Sequence, residues 1–135
     1  MADMLRLLLI TPERTLLDEE VDEVTAPGTV GEFGVLPNHT TFLSSLDAGR
    51  LVFKQGNQSK LLAVSGGFAE VVDNVMTVLA DSAEFADEID AEAARTALRE
   101  AEEKLKTLGE SDEDYAEIKA ARQWEQARVN VAGGR

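Results

Sequence analysis

Cysteine is absent from the 135 residues, and histidine, tryptophan and tyrosine occur once each. Without thiols there is no disulfide, no thiolate zinc site and no cysteine nucleophile. One histidine without cysteine partners cannot build a nitrogen- or sulfur-rich metal site. Aromatic residues make up 5% of the chain, which weakens any case for stacked bases or sugars. Positive charge is scarce too. Against 26 Asp and Glu stand 13 Lys and Arg, a net charge of −13, which disfavours unassisted contact with nucleic acid or anionic membrane. The longest apolar runs, residues 7–10 and 61–64, are four residues each, far short of the roughly 18 that a membrane span needs. Residues 1–3 show no basic segment leading into an apolar one, so no export signal is expected there.

What remains is a chain long enough for one domain with a short appendage. Residues 31–40, G-E-F-G-V-L-P-N-H-T, gather two glycines, a proline, an asparagine and the single histidine. This composition reads as a shaped loop presenting a contact surface, with Glu32 as its acid and Phe33, Val35 and Leu36 as its apolar weight. Around it, residues 1 to about 80 read as short strands with turn signals every eight to twelve residues, the pattern of a sandwich or barrel. The expected strands are 5–10, 14–18, 21–26, 41–46, 50–55, 58–64, 67–72 and 75–80. Turns are expected at Pro27-Gly28, Gly56-Asn57 and Asp73-Asn74.

At Asp81 the period changes. Ala94, Leu98, Ala101, Leu105 and Leu108 recur at spacings of four and three, which places them on one helical stripe. Asp90 is the expected cap, Glu100–Lys104 and Glu102–Lys106 the expected side-chain pairs, and Gly109 the stop. Ser111 with the acids behind it reads as a second N-terminus, leading to a face of Ala120, Trp124, Ala127 and Val131. The two helices form an antiparallel hairpin. So alanine-rich a pair buries little by itself and must lean on the β part or on a partner, from which it can detach. Residues 1–87 carry net −9 and residues 88–135 net −4, so the acidity sits mainly on the β part.

No nucleophile elbow, P-loop or zinc-protease helix is present, and no catalytic residue is expected. His39 reads as a brace whose ring nitrogens bond loop backbone. Ser65-Gly66-Gly67 could cradle a phosphate, but a strand follows it instead of a helix, so close backbone packing is the expectation. Trp124 is either helix-packing core or a partner anchor. Arg95, Arg99, Arg122 and Arg128 are either solvated or face an acidic partner or a phosphate.

Four ordered motifs carry a resemblance: residues 31–40, A-V-S-G-G-F-A-E-V at 63–71, V-L-A-D-S-A-E at 78–84 and E-I-D at 88–90. Together they resemble the epsilon subunit of the F-type ATP synthase, over nearly the whole chain. The resemblance implies a ten-stranded β-sandwich (residues 1–87) followed by a C-terminal antiparallel two-helix hairpin (residues 88–135). It implies a non-catalytic rotor part of the central stalk, with gamma, the c subunits of the membrane ring, and the alpha and beta subunits as partners, and no nucleic acid. Gly31, Glu32, Phe33 and His39 would meet the ring. Arg122, Arg128 and Trp124 would serve a hairpin that blocks ATP hydrolysis. The implied location is peripheral, on the cytoplasmic face of a bacterial inner membrane or the stromal face of the thylakoid. No cofactor is implied beyond ATP as a regulatory ligand. In relatives that bind ATP the motif is Ile or Leu, Asp, two residues, Arg, Ala. Here the arginine position holds Ala93 and Arg95 comes two residues late, so a site built on Asp90, Arg95 and Arg99 departs from that pattern. The competing readings are a nucleotide sensor clamped by ATP and a sandwich that holds a small molecule beside residues 31–40.

Overall fold

Alternation shapes the first strands. In the computed structural model, which describes residues 4–135, Leu5, Leu7 and Leu9 point into the core while Arg6 faces solvent. The reading of residues 1–3 lies outside the described residues. Eight strands follow in order: β1 (Leu5–Ile10), β2 (Thr15–Val21), β3 (Glu23–Gly28), β4 (Gly31–Val35), β5 (Phe42–Leu46), β6 (Gly49–Gln55), β7 (Gln58–Val72) and β8 (Val75–Phe85). They form one hydrogen-bonded sheet, β2-β1-β8-β7-β5-β3-β4, with β6 joined to β3 and β7. β1 and β8 run parallel, and the other pairings are antiparallel.

The sheet folds over itself because β7 and β8 each belong to both layers of the sandwich. Residues 67–71 of β7 pair with β5, residues 58–64 pair with β6, and both halves keep a single register with β8. Counted layer by layer the two long strands supply four segments, which reconciles eight continuous strands with the ten that the resemblance implies. The bend lies at Gly66 (φ +50°) and Gly67 (φ +127°). A Cβ on Gly67 would stand 1.9 Å from the Leu79 carbonyl oxygen, so only glycine admits this approach of β7 to β8. The expected close backbone packing at Ser65-Gly66-Gly67 is what the fold contains.

Between the layers lies a wholly apolar core, with Phe53, Leu51, Leu62, Met76, Val64 and Val71 fully buried. Four sequence boundaries shift. β2 runs on to Val21, so the break before β3 falls at Asp22. The β3–β4 turn is Thr29-Val30, while Pro27 and Gly28 stay in the strand. The first half of the expected loop 31–40 is strand β4, whose glycines are accommodated because it is an edge paired only with β3. β8 continues past Asp81 to Phe85, because its last residues pair with β7 in the second layer.

A single 3₁₀ turn (Ala86–Glu88) leads to helices α1 (Ala91–Thr107) and α2 (Tyr115–Ala132). Asp90 caps α1, its Oδ1 accepting from the Ala93 N–H at 3.0 Å. Ala94 and Ala101 are buried and Leu98, Leu105 and Leu108 half-buried, the stripe read from the periodicity. Ser111 does not cap α2. Asp114 takes the N-cap position, its own N–H bonded to Asp112 Oδ1 at 3.2 Å. Ala120 is exposed, so the inward face begins only at Trp124 and continues through Ala127 and Val131. The expected i,i+4 pairs are replaced by Glu103–Lys106 at 3.3 Å, one exposed pair of little energetic weight.

Gly67→Ala is expected to cost about 3 kcal/mol or more, through both the positive φ and the clash with Leu79. Gly56→Ala, at a turn with open space around it, should cost about 1 kcal/mol. Urea denaturation of the two variants checks the contrast, and equal losses would mean that the bend is not the constraint.

Candidate functional site

The residues assigned to a ring contact divide into two groups. Gly31 stands at the tip of the β3–β4 hairpin, beside fully exposed Val30, and Glu32 next to it pairs with Arg50 of β6 at 3.3 Å. Phe33 turns inward and packs edge-on against Phe42, with ring centroids 5.1 Å apart. His39 lies beyond the far end of β4, about 16 Å of strand away from Gly31, and its ring meets the other side of this group, 5.7 Å from Phe42. His39 Nδ1 bonds the Thr40 carbonyl oxygen at 2.8 Å, and its backbone N–H donates to Leu36 at 3.2 Å. Asn38 (φ 67°) is tied to the β7–β8 turn, donating its N–H to Asn74 Oδ1 and accepting from Asn74 Nδ2 at 3.1 Å. The loop 36–41 is thus held in shape by an aromatic trio and an asparagine pair. Phe33 and His39 share one cluster, while Gly31 and Glu32 belong to another part of the same edge.

The hairpin lies against the outer side of the second layer, where α2 covers β6 and β7. Val131, Ile89, Ala94 and Ala63 form a small cluster of their own, with Trp124, Leu61 and Val129 at its margin. Arg128 is the centre of this seam. Its Nε faces Glu84 Oε1 of β8 at 2.8 Å as a charge contact without hydrogen-bond alignment, and Nη2 reaches Glu84 Oε2 at 3.4 Å. Nη1 donates to Glu125 at 2.6 Å, and the guanidinium lies 5.9 Å from the Trp124 ring centroid. Only 16% of the Arg128 side chain is exposed. Burial works against its charge, but the bonds to Glu125 and Glu84 outweigh that effect and hold its pKa above the ordinary value. Among the described residues this is the one ion pair joining the hairpin to the sandwich. Arg122, six residues earlier, is exposed and makes no ion pair among the described residues.

Arg95 and Arg99 are neighbours one turn apart on α1, and each ATP candidate has contacts of its own. The Asp90 carboxylate caps α1, Arg95 pairs with Glu92 at 2.9 Å, and Arg99 lines a shallow depression with Glu100, Glu103 and Lys104. The sequence reading also missed one surface. On the outer face of the first layer Leu43, Phe68 and Leu79 are 70%, 56% and 50% exposed, with Val72 beside them, and Phe68 lies directly opposite Leu79. The period-2 pattern of β7 marks this face: Ala69 and Val71 point inward, and Phe68, Glu70 and Val72 outward.

The sandwich corresponds to a known domain. The family model described as the ATP synthase delta/epsilon chain beta-sandwich domain matches residues 4–86, and the delta/epsilon long alpha-helix domain matches residues 87–133. The chain belongs to the ATP synthase delta/epsilon chain family. The ATP synthase epsilon chain of Geobacter sulfurreducens is 48% identical over 98% of this chain and 96% of its own. That of Geobacter metallireducens is 49% identical over the same shares. A chain in the Euglena gracilis mitochondrial ATP synthase, solved with OSCP, F1 and c-ring, superposes with a TM-score of 0.82 at 28% identity, over 98% of this chain and 82% of that one. A chain of the Tetrahymena thermophila central stalk and c-ring shares the fold, with a TM-score of 0.61 at 16% identity over 98% of this chain and 96% of its own.

In this epsilon-family chain, losing Glu84 leaves the partly buried Arg128 with Glu125 alone, and losing Arg128 leaves Glu84 without its cation. Glu84→Gln or Arg128→Gln should therefore weaken hairpin docking by about 1–2 kcal/mol, between the values for exposed and buried pairs. Amide exchange along α2 should accelerate roughly tenfold while the β-strand amides keep their protection. Equal acceleration in both parts would refute a local latch.

Proposed function

We propose that this chain is the non-catalytic central-stalk subunit of an F-type ATP synthase, turning with the rotor and restraining ATP hydrolysis through its C-terminal helices. The observation that carries the reading is the contrast between the two parts. The sandwich has a closed apolar core, whereas the hairpin is held outside it by a small separate cluster around Ile89, Ala94 and Val131, with Trp124 at its margin, and by one ion pair among the described residues. Such an element is built to leave. On release Arg128 exchanges Glu84 for acidic segments of the alpha and beta subunits, and Arg122 and Trp124 join it, with Trp124 as the apolar anchor. Asp and Glu outnumber bases 26 to 13 over the chain as a whole, so a basic contact face on α2 is a specific feature.

Gamma docks on the apolar face of Leu43, Phe68, Val72 and Leu79, on the layer opposite the hairpin. An exposed patch of this kind marks an interface, and docking there leaves the hairpin seam open. The β4 edge, with Gly31 and Glu32 at its tip and Phe33 and His39 bracing its far end, faces the c subunits of a proton-driven ring. The location that follows is peripheral, on the cytoplasmic side of the membrane. Among the described residues no helix is long and apolar enough to cross one.

Two experiments test this. ATP hydrolysis by the matching catalytic head is titrated with the full chain and with residues 1–87, whose core is separate from the hairpin cluster. The full chain should inhibit, and the shorter one should bind without inhibiting. Inhibition by both would remove the hairpin from the mechanism. Phe68→Glu with Leu79→Glu should weaken gamma binding at least tenfold, each side chain contributing about 1.5 kcal/mol or more of apolar burial. The melting temperature should fall by no more than a few degrees, because both side chains are half exposed and the two glutamates that then face each other across the strands repel only weakly in water. Unchanged gamma affinity would place that interface elsewhere.

A further inference from the structure

The seam has a second side. Arg122, Gln126 and Asn130 recur every four residues and form one row along α2, whereas Arg128, two residues from Gln126, projects from the other side of the helix. This row, with Gly49 and Arg50 at the start of β6 and Arg135 after the helix, encloses a cavity of about 220 Å³. Among the described residues no aspartate or glutamate lines it. Three of the chain's 13 basic residues therefore converge on one small space in a protein of net charge −13, and that concentration is unexplained by packing.

Their charges are largely unmet. Arg50 reaches Glu32 at 3.3 Å, while Arg122 and Arg135 make no ion pair among the described residues. The Gln126 Nε2 group donates to Asn130 Oδ1 at 3.1 Å, which orients the Asn130 amide and leaves its N–H groups as donors. Forked guanidinium donors and a fixed amide suit an oxyanion with several equivalent oxygens. The volume lies below the range of about 300–1,000 Å³ typical of sites for drug-sized ligands, so the space suits an inorganic anion better than a whole nucleotide.

We infer that this cavity is a binding site for a small phosphate-class oxyanion, inorganic phosphate or pyrophosphate, held between Arg122 of α2 and Arg50 of β6. The bound anion joins the hairpin to the sandwich at a second point and stabilises the docked arrangement by mass action. The inference concerns this chain alone and does not depend on its place in a rotor.

The test is a calorimetric titration of the full chain with phosphate and, separately, with pyrophosphate. Saturable binding is expected, tighter for pyrophosphate and weakened by salt. Arg122→Gln and Arg50→Gln should each lower the affinity about tenfold. Arg14→Gln, which removes an exposed arginine outside the cavity, should not change it. Because Arg122 is exposed, its variant is expected to fold, and circular dichroism verifies that. Pyrophosphate should also slow amide exchange along α2 in the parent chain and fail to do so in Arg122→Gln. The inference is overturned if neither anion saturates by about 5 mM, or if Arg14→Gln loses as much affinity as Arg122→Gln, which would mark diffuse attraction. Binding without slower exchange in α2 would overturn the bridging role.

Discussion

The approach of Gly67 to the Leu79 carbonyl is the constraint on which the rest of the sandwich rests. Two strands that stay paired in one register can serve two layers only if the pair bends as a unit, and the bend brings the backbones too close for any Cβ. Given that bend, β5 and β6 find partners on different halves of β7, and the two inner faces close over Phe53, Leu62 and Met76. Without it the same residues would form a flat sheet with one greasy side. The bend also separates the outer faces by role, with the hairpin on one layer and the open apolar patch on the other.

Where physics is local, the sequence was readable. The hairpin turn at Asp73-Asn74 takes positive φ at both residues, as its composition suggests. The α1 stripe and the Asp90 cap follow from spacing and side-chain chemistry alone. The exceptions share a cause. Residues 31–35 look like loop because of their glycines, yet an edge strand tolerates them, and only the partner strand β3 shows this. The end of β8 looks polar, yet its pairing with β7 in the second layer keeps it extended past Asp81. Ser111 is a good cap by composition, but Asp112 and Asp114 compete for the same role one turn later.

Long-range pairing hid the site as well. Arg128 and Glu84 are 44 residues apart, and nothing in either neighbourhood announces the other. The ring-contact motif read as one patch because its residues are consecutive, but a strand separates Gly31 from His39 along an edge. Linear proximity is a poor guide once a segment is extended at about 3.3 Å per residue.

The distribution of side-chain size then decides which part of the molecule moves. Burial of a Leu, Phe or Met stabilises by about 1.5–3 kcal/mol and loss of a single methyl-sized contact by less than 1. The sandwich interior holds side chains of the first kind, whereas the hairpin's inner face offers buried Ala94, Ala101 and Ala127, with Val131, Ile89 and the half-buried Trp124 as its larger contributors. No polar side chain is buried among the described residues, so the core has no charged weak point, and the polar specificity of the molecule lies at the seam. Undocking therefore exposes small apolar surfaces and one arginine without disturbing the core. In the release proposed above, the Arg128 pair and the hairpin cluster part together while the sandwich, whose core is separate, stays intact.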